Sequence, residues 1–525
     1  TDADFNEHID DFSIAVIARS LKALALNPAL KNSASADTLL LSEADFRNPA
    51  NSRLLQSIAL LTTDPDLTLL LGTFYITLAK KFLDLVSFRL FMTPKPKLTE
   101  KLSTTVTDED IANGIEDEYG VVYSKDGKRL LQCKNWKLTE YTIKDGTKVI
   151  CDSVFFINGV AHPLQNINIP ASVTAIGNHA FRECSSLQSI TIPSSVTSIG
   201  RLTFAFCKSL KNINIPPSVT FIDTNPFLGC QNIKISLLNN INFKIINGLL
   251  IATTGQLISC IIDSVNISIP SSVISIGESA FERCKSLQNI DIPSSVVSIG
   301  KEAFHYCTSL KSLILPQTVK SIGWCAFESC TSLESIIPLE SITLSPTVMT
   351  IDSNAFADCT SLKSITLPST VTSIGSWAFS QCTSLKSITL PSTVTSIGSG
   401  AFSRCTSLES ITLPPLLTYI ESSMFLGCET LRNIDIPPSV THIGDNAFMH
   451  CQSLKSISLP LAVNIIDKYA FYGCWALRSV SIPSSVAAIG AWAFSNTALQ
   501  SVNIPSSVTH IGKEAFPFIC HINRV

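Results

Sequence analysis

The sequence has no apolar run long enough to cross a membrane, few charges and no cluster of basic residues. Its most apolar stretch, Leu67 to Ala79, ends at Lys80 and Lys81, whereas a membrane helix needs about 20 apolar residues. Charged residues make up 15% of the chain, the formal net charge is −3, and lysines and arginines are scattered, with no run longer than two. Because a nucleic-acid-binding protein usually carries a basic patch, we expect neither a nucleic-acid partner nor a membrane-spanning segment.

Short motifs of catalysis and metal binding are also missing. The 8 histidines are dispersed, and no H-E-x-x-H, G-x-S-x-G, phosphate-binding loop or C-x-x-C pair occurs. We therefore predict that the protein is not an enzyme and has no catalytic, cofactor-binding or metal-binding residue. A catalytic role for residues 1–110 is the weakest alternative, because that region has no His, Asp and Glu cluster with usable spacing.

What the chain does have is a repeat. At 525 residues the chain is too long for one ordinary hydrophobic core, so several domains or a repeat array are expected. Because 45% of the residues are hydrophobic, the chain is not expected to be disordered. A phenylalanine recurs mostly every 23 residues, at Phe181, Phe204, Phe227, Phe281, Phe304, Phe327, Phe356, Phe379, Phe402, Phe425, Phe448, Phe471, Phe494 and Phe516. With a degenerate copy around Phe155, about 15 coils are predicted.

Each coil has apolar residues in fixed positions. Around Phe402 these are Val394, Ile397, Ala401, Cys405, Leu408, Ile411 and Leu413. The alternation of Ile411 and Leu413 about Thr412 predicts a strand with Thr412 facing outward. Pro414 is expected to end that strand because it cannot donate a backbone hydrogen bond. Gly398 is expected at a turn that requires a positive φ.

The repeat is interrupted at several places. Residues 118–133 and 241–260 share matched glycines and predict two β-hairpins, with Asp126–Gly127 as a favoured tight turn. The longer interval Phe327–Phe356 predicts a slipped or bulged coil. The residues after Phe516 are not expected to complete a strand, so the array is predicted to end abruptly there.

The repeat resembles a known family. Copies such as LPSTVTSIGSWAFSQCTSLKSITLP, Leu367 to Pro391, are similar to the BspA-like, or Treponema pallidum-type, leucine-rich repeat, and the resemblance covers about Glu118 to Val525. It implies a leucine-rich-repeat solenoid and a surface or secreted protein of bacteria or protists that acts in adhesion and protein binding. Such a scaffold does not determine the ligand.

The N-terminal part carries no repeat. Residues 1–92 show helical periodicity, with Asp64 and Pro65 as a favourable helix start, and residues 93–117 are predicted to be a linker. The predicted fold is therefore α+β: a small all-helical region precedes a curved leucine-rich-repeat β-solenoid that occupies residues 118–525. The helices could cap the solenoid or bind a separate partner, and the sequence does not distinguish these two roles.

The 17 cysteines follow the repeat. Twelve stand three residues after the repeated phenylalanine and are predicted to form an inward ladder of free thiols: Cys184, Cys207, Cys230, Cys284, Cys307, Cys330, Cys359, Cys382, Cys405, Cys428, Cys451 and Cys474. An occasional disulfide is left open for the five others: Cys133, Cys151, Cys260, Cys325 and Cys520.

The outward side of the strands is the candidate binding face. It comprises Gln188, Thr191, Lys211, Asn214, Gln288, Asp291, Lys363, Thr366, Lys386, Thr389, Glu409, Thr412, Arg432, Asp435, Lys455 and Arg478. The function expected is a protein- or glycan-binding module of adhesin type at the cell surface or secreted. An intracellular, cytoplasmic scaffold docked through the N-terminal helices is the alternative, and a merely solvated sheet face is the simplest explanation of these residues. The oligomeric state is left open.

Four tryptophans recur near the coil turns and allow two interpretations. They are either exposed anchors for a partner or half-buried packing residues: Trp324, Trp377, Trp475 and Trp492.

Overall fold

A coil of about 23 residues buries its apolar side chains only when further coils stack on it, and the fold is built on that stacking. The computed structural model describes residues 102–525 apart from 158, 231–232, 317 and 339–348. Residues Ser103–Val525 form one compact unit, a curved β-solenoid of about 16 turns with almost no helix. The helices predicted in residues 1–92 lie outside the described residues.

One side of the solenoid is formed by strands that begin two residues after a buried leucine in most coils. We call these strands the front sheet. Neighbouring coils pair in parallel and in register, as Ile388 does with Ile411. The strands are Glu140–Thr142, Asn166–Asn168, Ser189–Thr191, Asn212–Asn214, Lys234–Ser236, Asn266–Ser268, Asn289–Asp291, Ser312–Leu315, Ser335–Pro338, Ser364–Thr366, Ser387–Thr389, Ser410–Thr412, Ser456–Ser458, Ser479–Ser481, Ser501–Ile504 and His521–Arg524.

The opposite side, the return sheet, is built mostly from two-residue strands with a buried isoleucine. These also pair in parallel, as Ile374 does with Ile397. The strands are Ile115–Glu116, Val121–Tyr123, Arg129–Cys133, Val149–Ile150, Ala175–Ile176, Ser198–Ile199, Phe221–Ile222, Phe243–Ile246, Leu249–Ala252, Gln256–Cys260, Ser275–Ile276, Ser298–Ile299, Ser321–Ile322, Met349–Ile351, Val371–Ile374, Ser396–Ile397, Tyr419–Ile420, His442–Ile443, Ile465–Ile466, Ala488–Ile489 and His510–Ile511.

The described residues contain one α-helix, Asp108–Ala112, within the segment that the sequence marks as a linker. A capping box starts it, because the Thr107 hydroxyl accepts from the Asp110 amide at 3.1 Å and the Asp110 carboxylate accepts from the Thr107 amide at 3.0 Å. Arg129 of the first hairpin donates to the Asp110 carboxylate at 2.8 Å. This contact attaches the helix to the start of the solenoid.

Two antiparallel hairpins stand in the place of return strands. Val121–Tyr123 pairs with Arg129–Cys133, and Leu249–Ala252 pairs with Gln256–Cys260. The last strand of each hairpin then pairs in parallel with the return strand of the following coil. Each hairpin therefore begins a run of stacked coils.

Where the second hairpin interrupts the array, buried polar side chains join the two runs. The Asn225 amide donates to the Ser279 carbonyl at 2.6 Å, and the Ser259 hydroxyl donates to the Asn225 side-chain oxygen at 2.5 Å. All three residues are buried. The Asn225 side chain, the Ser259 hydroxyl and the Ser279 carbonyl therefore all have hydrogen-bond partners at the junction.

The repeated phenylalanines stack through the core. Consecutive rings lie 4.9–5.8 Å apart, with planes within 15° of parallel, in one run from Phe155 to Phe227 and another from Phe281 to Phe516. The longer coil does not break the stack, because the Phe327 and Phe356 rings are 5.2 Å apart.

The cysteine ladder faces inward, as predicted, and the thiols also make hydrogen bonds. Cys405 Sγ donates to the Phe379 carbonyl of the preceding coil at 3.1 Å. Eleven of the twelve ladder thiols make this bond, with sulfur–oxygen distances of 2.9–3.8 Å. Cys284 opens the second run and instead has its thiol beside that of Cys260. All 17 cysteines are free thiols.

The prediction for Gly398 is wrong. Its φ is not positive; the left-handed residues lie two before and two after the phenylalanine, as Gly400 and Arg404 do around Phe402. A Cβ on Gly398 would lie 2.4 Å from the Ser376 backbone nitrogen of the preceding coil. Glycine is required there because two backbones pass too closely for a side chain.

The predicted abrupt ending is also wrong. His521–Arg524 forms a strand that pairs in parallel with Ser501–Ile504. The sequence pattern misses it because this strand lacks the repeated Leu-x-x-Ile-x-Leu spacing, while backbone hydrogen bonds from the preceding coil are enough to form it.

We predict that Gly398→Ala lowers the free energy of unfolding by about 1–3 kcal/mol, because the added methyl group meets backbone that cannot rotate away. Urea unfolding followed by circular dichroism measures the change. Ser396→Ala, at an exposed position two residues earlier, is the matched control and should stay within about 0.5 kcal/mol of the wild type. Equal stabilities of the two variants would contradict the close-approach explanation.

We also predict that the ladder thiols of the folded protein resist alkylation. Burial raises the pKa of the Cys405 thiol to about 12, so the reactive thiolate is scarce at neutral pH. N-ethylmaleimide at pH 7, with peptide mapping, should label the partly exposed Cys520 well before Cys405, and should label both equally in guanidinium chloride. Native labelling of Cys405 as fast as that of Cys520 would refute the ladder.

Candidate functional site

The front sheet directs alternate side chains outward. In Ser387–Thr389 the middle isoleucine is buried while Ser387 and Thr389 are exposed, as the period of two in a strand requires. The residue just before the strand, Lys386, is exposed as well. Each coil therefore contributes three neighbouring positions to the exposed side of this sheet.

All sixteen residues singled out from the sequence lie on this side. Fifteen are exposed and Gln288 is half-buried. Arg432 and Asp435 lie in a coil without an assigned front strand, yet Ile434 between them is buried and both are exposed. The alternation therefore continues through that coil.

Hydroxyl groups just before the return strands and those on the front strands are used differently. Just before the return strands, Thr197 donates to the Thr174 carbonyl at 3.2 Å and Thr395 to the Thr372 carbonyl at 3.3 Å, each bond reaching the preceding coil. On the front sheet, the hydroxyls of three successive coils make no such bond to another described residue: Thr366, Thr389 and Thr412. Their hydrogen-bonding capacity is directed to the solvent.

Some front-sheet polar groups already pair between coils. Asn289 donates to the Asn266 side-chain oxygen at 2.7 Å, and Ser268 donates to the Asp291 carboxylate at 3.2 Å. Asp291, one of the candidate residues, is therefore partly engaged within the sheet.

Stacking gathers charges that the sequence disperses. The residue after the buried leucine is charged in eight successive coils, and six of the eight are basic: Lys311, Glu334, Lys363, Lys386, Glu409, Arg432, Lys455 and Arg478. Each backbone amide in this series donates to the carbonyl of the previous member, from Glu334 to Lys311 at 2.9 Å through Arg478 to Lys455 at 3.0 Å. We call this series the basic column.

The basic column is not recognisable as a unit in the linear sequence, and Lys311 and Glu334 are not among the predicted binding residues. The available signal was the position after the leucine in each repeat, since stacked coils place equivalent residues about 4.7–4.9 Å apart. A linear search for basic clusters cannot detect residues that are 23 positions apart in the chain.

The basic column is only partly neutralised. Lys363 Nζ lies 2.7 Å from Glu334 Oε2, and this contact lowers the pKa of the Glu334 carboxyl. Both side chains are exposed, so the pair adds little to stability. The other five basic members make no ion pair with another described residue: Lys311, Lys386, Arg432, Lys455 and Arg478.

The tryptophans at the turns divide between packing and exposure. A Cβ on Gly400 would lie 2.4 Å from the Trp377 ring, so that ring rests on the next coil. Trp492 stacks on Tyr469, with ring centres 5.1 Å apart, whereas Trp475 is 60% exposed. The packing interpretation therefore describes Trp492, whereas Trp377 and Trp324 are each 39% exposed.

The His442, His450 and Cys451 side chains, which are near one another in sequence, do not form one site. His442 lies on a return strand and His450 lies in the turn after Phe448, while the neighbouring Cys451 thiol donates to the Phe425 carbonyl. Across the described residues, no three His, Cys, Asp or Glu side chains are placed to hold a metal ion. Among those same residues, no helix has the length and apolarity to cross a membrane.

Comparisons with known proteins give a family and several structural neighbours. The sequence matches the family model described as BspA type leucine rich repeat region (6 copies) over residues 132–250, 257–338, 336–455 and 441–525. No curated protein matches the chain.

Among solved structures, a leucine-rich repeat protein from Bacteroides ovatus is 28% identical, with a TM-score of 0.49, over 80% of this chain and 99% of that one. A leucine rich cell surface protein from Faecalibacterium prausnitzii is 25% identical, with a TM-score of 0.40, over 76% and 94%. The leucine rich repeat protein of T. pallidum is 26% identical, with a TM-score of 0.29, over 40% and 86%.

Proposed function

Because the chain belongs to the BspA-type leucine-rich-repeat family, we propose that it is an interaction protein that binds a macromolecular partner along its front sheet. Stacked repeats present extended surfaces of this kind, on which many weak contacts add up. The partner we propose is a protein with an acidic surface. An anionic glycan offers the same charge and is separated from it by the test below.

The observation that carries this proposal is the set of charges and hydroxyl groups exposed on the front sheet. Hydroxyls just before the return strands, such as those of Thr197 and Thr395, make coil-to-coil hydrogen bonds, whereas those of Thr389 and Thr412 on the front sheet make none to another described residue. The basic column lies beside those front-sheet hydroxyls. A positively charged face with available hydrogen-bonding groups favours and steers an acidic partner.

We propose the cell surface or the extracellular medium as the place of action, with adhesion as the role, in line with the family resemblance. A second candidate is an intracellular scaffold docked through residues 1–92. The 17 free thiols favour that candidate, because cysteines stay reduced in the cytosol and many form disulfides outside it. Fractionation of the native protein between cytosol, surface and medium distinguishes the two.

We predict that Lys363→Glu/Lys386→Glu/Lys455→Glu abolishes capture of the partner, because it reverses the charge of the basic column without touching the core. The full chain, immobilised, is exposed to native surface extract and medium, and bound proteins are identified by mass spectrometry. The affinity of the identified partner should fall as salt rises from 50 to 200 mM, since exposed charges are screened.

The matched control is Lys148→Glu/Lys320→Glu, which reverses two exposed lysines that lie just before return strands. It should keep the partner. Equal binding by both variants would contradict the assignment of the front sheet. Capture of heparin but of no acidic protein, lost in the front-sheet variant alone, would identify an anionic glycan as the partner instead.

A further inference from the structure

A shallow cavity lies at the N-terminal end of the front sheet, outside the sixteen candidate residues and the basic column. Its volume is about 390 Å³, within the range of small-molecule sites. The residues that line it are Tyr119, Glu140, Tyr141, Thr142, Asn166, Ile167 and Asn168.

The cavity exists because the front sheet starts there. Glu140–Thr142 is the first front strand and pairs on one side with Asn166–Asn168. Tyr119, which precedes the first hairpin, meets Tyr141 of that strand edge to face, with ring centres 5.9 Å apart and planes at 73°. Tyr119 is 51% exposed and forms one wall, while the outward side chains of the two strands form the other.

The turn that carries Tyr119 is held rigidly. One oxygen of the Asp117 carboxylate accepts from the Tyr119 amide at 3.0 Å and from the Val121 amide at 2.9 Å. The other oxygen accepts from the Tyr141 hydroxyl at 2.6 Å. The Asp117 carboxylate thus connects the backbone of this turn to Tyr141, and the edge-to-face contact with Tyr141 positions the Tyr119 ring at the cavity.

The polar groups of the cavity both donate and accept. Asn166 Nδ2 donates to Glu140 Oε1 at 3.0 Å, which orients the carboxylate and the amide next to each other. Asn168 and Thr142 are exposed beside them. The amides supply donors and acceptors, and the carboxylate supplies further acceptors. Vicinal hydroxyl groups of a ligand need both kinds of partner, because each hydroxyl donates one hydrogen bond and also accepts.

The lining disfavours other ligand classes. None of the lining residues is basic and Glu140 is acidic, so a phosphate, sulfate or carboxylate would be repelled. The apolar surface available to a lipid or a large apolar side chain is small, because Tyr119 is exposed but Tyr141 and Ile167 are buried. An exposed aromatic ring beside amide and carboxylate groups fits a ligand with one apolar C–H face and a rim of hydroxyls.

We propose that this cavity is a binding subsite for a neutral saccharide, with the C–H face of one pyranose ring on Tyr119 and its hydroxyls on Glu140, Asn166 and Asn168. The subsite is separate from the basic column in position and in charge. It therefore does not depend on the partner proposed for the front sheet.

The test uses the full chain and four neutral probes, the methyl glycosides of glucose, galactose, mannose and N-acetylglucosamine. Saturation-transfer NMR detects binding, and NMR titration gives the Kd. We expect at least one glycoside to bind, with affinity at least about tenfold weaker in Tyr119→Ala and in Asn168→Ala. Tyr119→Phe keeps the ring and should bind within about threefold of the wild type.

Two controls separate this subsite from the fold and from the front-sheet partner. Tyr119→Ala removes an exposed ring but keeps the backbone amides that donate to the Asp117 carboxylate, so its melting temperature should match that of the wild type. Lys363→Glu/Lys386→Glu/Lys455→Glu should bind the glycoside normally.

Three results would overturn the subsite: no saturation transfer from any of the four glycosides, binding that survives both alanine variants, or binding of sulfated saccharides only. A fourth would do so as well, namely protection of the Glu140–Thr142 edge by a peptide strand in place of a sugar. Each would leave the front-sheet proposal intact as long as the acidic partner is still captured.

Discussion

The spacing between one coil and the next is the constraint on which the rest of the structure depends. At a strand separation of about 4.7–4.9 Å, the Phe379 and Phe402 rings stack at 5.7 Å and the Cys405 thiol reaches the Phe379 carbonyl at 3.1 Å. The same spacing leaves no room for a Cβ at Gly398. Phenylalanine, cysteine and glycine recur together because one distance determines all three.

The same distance gives serine and threonine hydroxyls different roles at different positions in the coil. A hydroxyl just before a return strand can reach the carbonyl of the preceding coil, as that of Thr395 does, so hydroxyls at this position stabilise the stacking. On the front sheet the equivalent bonds are absent at Thr389 and Thr412 within the described residues. Stacking there produces an ordered, solvated surface and places dispersed lysines in one column.

The fold could largely be predicted from the sequence because its signals are local and repeated. The period of Phe402 and the inward position of Cys405 follow from spacing alone, and both are confirmed. The reason for Gly398 could not be predicted, because the atom that excludes a side chain belongs to Ser376 of another coil. The strand His521–Arg524 was not predicted, because it lacks the repeat spacing and forms by pairing with Ser501–Ile504.

The candidate surfaces were less predictable, for the same physical reason. Lys311 and Glu334 were not predicted, because the members of the basic column become neighbours only when coils about 23 residues long stack. The cavity beside Tyr119 joins residues as distant in sequence as Asn168, and no motif connects them. The sequence therefore identifies which residues face outward, while stacking decides which of them act together.

Lysine footprinting of the protein isolated with its partner tests the central claim most directly, because it reports which sheet is covered. Acetylation rates measured by mass spectrometry, with and without the partner, should show Lys363, Lys386 and Lys455 protected several-fold and Lys148 and Lys320 unchanged. Protection of Lys148 and Lys320 with full labelling of the basic column would contradict an interaction surface on the front sheet.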